Sequence, residues 1–394
     1  MDGIPTNIMF HILSRCPVKS LLCFRCVSKL WCKYIDDIYL AIIHDKRGIE
    51  EPTPIMFHLN PLPGRRPRSL CFHTIDHQSS ATNTLVMMKP KEVPDFEFLC
   101  KKPRSKSSIT NIEFLGSCNG LIYVSESDGD LVTTLSVIHP IKKQCYELPH
   151  LPFRFSCFMS RESCGLCFDS STNTLKMVCV LLNGHPPSEN PEEVRKNLYT
   201  MVHVFGTKSW QKIPQVPSYP IQGEAIFANG CLHWLVSYHD SPKSPSKDKR
   251  HVVWFDVKKE EFGSIDPPET TSNRPNRKYG NWSCDHLVNL NGQVGYFCNR
   301  TTEVWVLNHK NEWVLHCHID DKHFSYGYIK VFGCLNKDGD VLIRFKKINE
   351  KTSCSSFTTS KMAFYMNHTS LVEKMDIKQT LLCFPIACFH SMTS

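Results

Sequence analysis

The sequence lacks any stretch that would carry it through or into a membrane. Acidic Asp2 stands where a secretory leader places its basic residues, and no apolar core follows it. No uninterrupted apolar run approaches the roughly 20 residues needed to span a bilayer. These absences predict a cytosolic or nuclear chain that makes no membrane contact. Charge of one sign is also scarce: 46 Lys and Arg against 38 Asp and Glu leave a formal net charge of +8 over 394 residues, and the basic residues are scattered. Electrostatics therefore gives nucleic-acid binding no footing. Signatures of phosphate and metal chemistry are missing too, with no P-loop, no G-x-G-x-x-G and no H-E-x-x-H. The expectation is a chain without cofactor, metal or catalytic constellation.

Cysteine, by contrast, is plentiful at 20 residues. In a reducing compartment these thiols read as small buried hydrophobes rather than disulfides. The sequons at Asn281, Asn299 and Asn367 then carry no glycan. Cys23/Cys26 and Cys164/Cys167 have C-x-x-C spacing, but zinc needs four converging ligands and no partner pair is evident. His316-Cys317-His318 and Cys71-Phe72-His73 alternate faces along strands, so only one or two side chains of each could converge on a metal. Cys118, in Gly116-Ser117-Cys118-Asn119-Gly120, occupies the nucleophile position of a G-x-x-x-G elbow. That elbow requires a helix after the turn, whereas here another strand follows, so a structural turn is expected.

The first 48 residues read as helical. Pro5 suits a helix entry, and Ile8, Met9, Ile12 and Leu13 recur on one face. Cys16-Pro17 ends that helix, because a residue before proline is pushed out of the α region. Pro17 opens a second helix with Val18, Leu21, Leu22, Phe24, Arg25 and Val27; a third, from Ser28 to about Ile35, groups Trp31, Tyr34 and Ile35. So short a segment cannot bury that many large apolar side chains by itself, so it needs a partner or the chain's own C-terminal domain as a cover.

The stretch Ile12-Leu13-Ser14-Arg15-Cys16-Pro17-Val18-Lys19-Ser20-Leu21-Leu22-Cys23-Phe24-Arg25-Cys26-Val27-Ser28-Lys29-Leu30-Trp31 closely resembles the F-box of plant F-box proteins. Against that pattern Cys16 replaces Leu, Cys23 replaces Arg, Ile4-Pro5 stands for Leu-Pro, and His11 replaces an acidic residue. The resemblance implies a Skp-type adapter as partner, and through it cullin and RING subunits. It implies that Pro5, Ile8, Ile12, Leu13, Pro17, Val18, Leu21, Leu22, Phe24, Val27 and Trp31 lie against the adapter, with Arg25 making polar contacts at the rim.

Residues 49–110 read as a Pro-rich linker with the first strands of a second domain, which occupies 111–378 and leaves a tail at 379–394. The basic segments 101–106 and 240–250 read as solvated loops. Asn119-Gly120, Asn229-Gly230 and Asn291-Gly292 each precede an alternating apolar strand, the signature of tight hairpins; Asp338-Gly339 is a looser copy. A second motif leads from an aromatic residue toward proline, as in Tyr146-Glu147-Leu148-Pro149 and Trp210-Gln211-Lys212-Ile213-Pro214; Glu312-Trp313 repeats only the aromatic. The Trp residues 210, 234, 254, 282, 305 and 313 read mainly as strand core, with a few available as recognition anchors. Repeats of this length with several strands predict an irregular, kelch-like β-propeller of five or six blades, or alternatively an antiparallel β-sandwich.

Gly116-Ser117-Cys118-Asn119-Gly120-Leu121, Cys164-Gly165-Leu166-Cys167-Phe168-Asp169, Asn229-Gly230-Cys231-Leu232-His233-Trp234, Val253-Trp254-Phe255-Asp256 and Glu303-Val304-Trp305-Val306 resemble, in order, pieces of the F-box-associated domain; His139-Pro140 departs from its usual Asn-Pro. The joint resemblance implies a substrate receptor of an SCF-type (Skp–cullin–F-box) ubiquitin ligase, itself not an enzyme. A non-recruiting interaction scaffold is the alternative, and a propeller enzyme or lectin is a third. The apolar stretch from Leu381 to Phe389 reads as either a last strand or a loose end.

Overall fold

The structure is a computed structural model. It describes residues 4–16, 18–37, 39–40, 43–44, 53–60, 69–74, 96–99, 110–118, 121–128, 133–139, 144–151, 162–183, 190–237, 250–269, 285–319, 327–334, 339, 341–347, 360–366, 369–377 and 382–386.

Three short helices open the chain: α1 (Thr6–Leu13), α2 (Val18–Phe24) and α3 (Lys29–Ile35). Pro5 caps α1 in an extended conformation, and its carbonyl accepts from the amides of Ile8 and Met9 at 2.9 and 3.1 Å. Proline costs nothing at this position, because its missing N–H would have no intrahelical partner. The Ser28 hydroxyl accepts from the Trp31 amide at 3.2 Å, an N-cap that fixes where α3 starts. The second helix is shorter than its apolar pattern predicts. It stops at Phe24, where the amides of Cys26 and Val27 turn back to the carbonyls of Cys23 and Phe24. Met9, Phe10, Leu13, Leu21, Ile35 and Leu40 form the core of this unit, with Phe24, Trp31, Tyr34 and Tyr39 packed around it.

Residues 39–40 and 43–44 are also helical; from Thr53 onward the described chain is β-structure and turns apart from one helix, α4 (Pro191–Lys196). Six antiparallel sheets of four strands follow one another. The first pairs Leu382–Ile386 with Thr53–Asn60, which continues to Ser69–Thr74 and Phe96–Leu99. The apolar C-terminal stretch thus supplies a strand to the sheet built from the earliest strands. The second sheet runs from Thr110–Cys118 to Gln144–Glu147, the third from Ser163–Asp169 to Gln211–Ile213, and the fourth from Ile221–Ala228 to Glu261–Ile265. The fifth runs from His286–Leu290 to Trp313–His318 and the sixth from Gly327–Cys334 to Thr369–Ile377. From the second sheet to the sixth, the first strand of each packs against the first strand of the next. This arrangement is that of propeller blades and does not favour the sandwich alternative.

Two of the Asn-Gly turns have the backbone that such hairpins require. Asn229 and Gly230 take φ of 52° and 78°, and Asn291 and Gly292 take 50° and 82°. Positive φ at both central residues matches the right-handed twist of the flanking strands. Strand Thr110–Cys118 returns through Cys118↔Leu121 pairing, so a strand follows the Cys118 corner and the nucleophile elbow is ruled out. Residues 101–106, Asn119-Gly120, Trp282 and Asp338 lie outside the described residues.

The aromatic-to-proline motif has a structural meaning. Trp210, beside the outer strand of the third sheet, donates from Nε1 to the Pro149 carbonyl of the second at 2.7 Å. Trp313 of the fifth sheet donates to the Asp266 carbonyl that follows the fourth, at 2.8 Å. The motif ties the outer end of one sheet to that of the next. Trp234 is fully buried and Trp305 is 6% exposed, as core positions.

Candidate partner-docking surface

The apolar set read from the N-terminal sequence divides in two. Leu13 and Leu21 are 0% and 5% exposed, enclosed by Met9, Phe10, Ile35 and Leu40. They hold the helices together and are corrected from adapter-facing to internal positions. Ile4, Ile8 and Ile12 are 58%, 46% and 47% exposed. Ile8 and Ile12 stand at i and i+4, one above the other on one side of α1, and Ile4 lies just before its Pro5 cap. Val27 and Leu30, at 61% and 51%, expose further apolar surface around the start of α3. The sequence reading passed over Ile4 and Leu30 as docking residues.

Phe24 and Trp31 are half-buried and meet edge to face, with ring centroids 5.5 Å apart and planes at 83°. Arg25, just past α2, and Asp36, the C-cap of α3, form a largely solvent-facing ion pair at 3.0 Å. Pro5 is exposed, and so are the two departures His11 and Cys23. Cys16 is half-buried against the core, where its thiol donates to the Ile12 carbonyl at 3.5 Å. Pro17 and the side chains of Val18 and Leu22 lie outside the described residues.

Several titratable groups of the β domain are buried in its packing. Burial pushes the Cys167 and Cys179 thiols well up, which removes the thiolate a nucleophile needs. Cys164 and Cys167 are buried in one strand, and Cys167 donates to the Lys176 carbonyl at 3.4 Å. Burial lowers His233 to about 4, so the ring is neutral near pH 7, where it bonds the Ile226 carbonyl. His316 bonds the Gly339 carbonyl at 2.8 Å. Among the described residues, no three His, Cys, Asp or Glu side chains gather as metal ligands, and no helix is long and apolar enough to cross a membrane.

Two buried ionic clusters escaped the sequence reading. Lys176 lies 3.0 Å from Asp169 and 3.3 Å from Glu260, joining the third sheet to the fourth. Arg250 is only 5% exposed, so the basic segment it ends is not wholly a solvated loop. Its guanidinium donates to the carbonyls of Val236 and Asp285 at 2.6 and 3.2 Å and to Gln222 at 3.2 Å. The Tyr296 hydroxyl donates to Asp285 at 2.8 Å in the same cluster, which clamps the fourth sheet to the fifth. The only signal in the sequence was a charged residue beside a strongly apolar run.

Comparison with known proteins agrees with this architecture. Residues 1–42 match the F-box domain, and residues 65–384 match the F-box associated beta propeller domain. An F-box protein of Arabidopsis thaliana, At1g47340, is 24% identical over 92% of this chain and 72% of its own length. F-box protein CPR1 of the same plant is 26% identical over 79% of this chain and 71% of its own. Among solved structures, TolB from Acinetobacter baumannii aligns with a TM-score of 0.44 and 8% identity, covering 83% of this chain and 64% of that one. With six four-stranded sheets behind a three-helix unit, the chain belongs to the F-box proteins that carry an F-box associated beta propeller domain.

Proposed function

We propose that this chain is the substrate-recognition subunit of an SCF-type ubiquitin ligase, acting in the cytosol or nucleus. One observation carries the reading: the helical unit has a closed core of its own, yet leaves Ile4, Ile8, Ile12, Val27 and Leu30 in solvent. Exposed apolar side chains on a small unit mark a docking surface, and stacked anchors on one helix face suit a groove between partner helices. The family supports a Skp-type adapter as the occupant. Through that adapter the chain meets cullin and RING subunits, and its β domain holds a target protein. The chemistry belongs to the recruited conjugating enzyme, while this chain contributes proximity and orientation.

Co-expression of the full chain with a plant Skp-type adapter tests the reading. A stable one-to-one complex that recruits cullin and RING subunits and builds ubiquitin chains supports it. A folded chain that purifies alone supports the non-recruiting scaffold instead.

A further inference from the structure

The helical unit meets the β domain through an aromatic pair. The Tyr39 ring lies 6.4 Å from the Phe168 ring, with planes inclined by 34°. On the helical side Tyr39 meets Phe10 edge-on at 5.2 Å, and Phe10 meets Tyr34 at 5.5 Å. These rings surround the core that holds α1, whose opposite side carries Ile8 and Ile12.

The β side of the contact is firmly held. Phe168 is 4% exposed at the end of its strand, and the next residue is Asp169. Asp169 holds Lys176, which reaches Glu260 and the Val257 carbonyl of the fourth sheet. The aromatic contact therefore stands on a corner where two sheets are pinned together by a largely buried ion pair.

We propose that Tyr39 is a positioning residue, whose contact with Phe168 sets the bearing of the adapter-docking stripe relative to the β domain. The proposal rests on the substrate-receptor reading above. An adapter seated on Ile8 and Ile12 would then hold the conjugating enzyme at a fixed place over the β domain and its cargo. Transfer requires a lysine amine to meet the ubiquitin thioester, so orientation selects which lysines react. A loose tether would leave only the effective concentration set by its length, and would select poorly.

The test uses the full chain in three variants. Tyr39→Ala removes the ring from the helical side, Phe168→Ala removes it from the sheet side, and Tyr39→Phe keeps the ring. Small-angle scattering of the free chain reads orientation whether or not an adapter binds. Self-ubiquitination in the reconstituted ligase, mapped by mass spectrometry over exposed lysines such as Lys208, Lys212, Lys258, Lys259 and Lys310, reads its consequence. The proposal expects wild type and Tyr39→Phe to share one scattering profile and one lysine pattern. Both alanine variants should gain a larger maximum dimension, keep adapter affinity, and lose about tenfold in rate at the favoured lysine while modification spreads to others. Unchanged scattering and pattern in the alanine variants would overturn it, as would loss of adapter binding with the ring, which would make Tyr39 a folding residue only. If wild type binds no adapter, the substrate-receptor reading fails; a scattering change in the alanine variants would still establish the contact as the joint.

Discussion

Trp210 Nε1 donates to the carbonyl of Pro149 at 2.7 Å, joining the third sheet to the end of the second. Sixty-one residues separate the two, and the bond joins the aromatic of one copy of the aromatic-to-proline motif to the proline of another. The bond is half-buried, so its loss leaves a carbonyl with little access to water. Trp210→Phe keeps an aromatic ring at the site but removes the donor and part of the ring's bulk. It should cost about 1–2 kcal/mol in urea unfolding, and Trp313→Phe, which loses the bond to Asp266, should cost a similar amount.

The division of the N-terminal apolar residues predicts opposite phenotypes for neighbours on α1. Leu13→Ala opens a cavity in a core of few residues and should cost roughly 2–5 kcal/mol, enough to unfold the helical unit. Ile12→Asp adds charge at an already solvated site and should leave the helical circular-dichroism signal intact. Comparing these spectra with adapter binding separates a folding position from a docking one.

Asp169 sets the acid limit of the third sheet. Burial alone would raise its pKa, but the Ser171 hydroxyl at 2.6 Å and Lys176 at 3.0 Å outweigh it and hold the carboxyl well below the usual range. A depressed folded-state pKa gives stability that is complete above the unfolded value near 4 and is lost as pH falls toward the folded one. Thermal unfolding should therefore drop in temperature below about pH 4. Asp169→Asn should start lower at neutral pH and lose that part of the slope.

Glu224 has the opposite sign. Burial among the inner strands raises its pKa, against the Lys330 charge and a hydrogen bond from the Ser117 amide. A raised carboxyl contributes stability below the unfolded pKa and loses it as pH rises through the folded one. Glu224→Gln should raise the melting temperature at pH 7 and leave it little changed in acid.

Gly165 lies where sheets approach closely. A Cβ there would stand 2.7 Å from Ala225 Cβ and 2.8 Å from Leu232 Cδ2, both of the fourth sheet. Gly165→Ala should destabilise the chain by about 1–3 kcal/mol through overpacking, measurable by denaturant unfolding without loss of adapter binding.

What could be read in advance was whatever local chemistry determines. The Asn-Gly pairs at 229 and 291 announce hairpins because few residues accept positive φ twice in succession. Pro5 and Ser28 announce helix starts because the first helical amides need an acceptor or a missing donor. The fourth strand of the first sheet comes from the tail, since Leu382–Ile386 pairs with strand Thr53–Asn60 across most of the sequence. Pairing at that separation leaves no local trace. The direction of Leu13 was equally hidden: in a three-helix unit the apolar arc of α1 exceeds the arc it can bury, and spacing alone does not say which edge stays wet. Arg250 was misread for a related reason, as its partners come from three distant segments at Val236, Asp285 and Gln222.

The central claim is that the stripe on α1 docks a Skp-type adapter, and calorimetric titration of the purified chain with that adapter tests it most directly. Wild type should bind, and Ile8→Asp with Ile12→Asp should weaken binding by at least about thirtyfold, equivalent to a hot-spot loss near 2 kcal/mol, with the melting temperature of the β domain unchanged. No binding by a folded wild-type chain, or equal affinity in the double variant, would contradict the account.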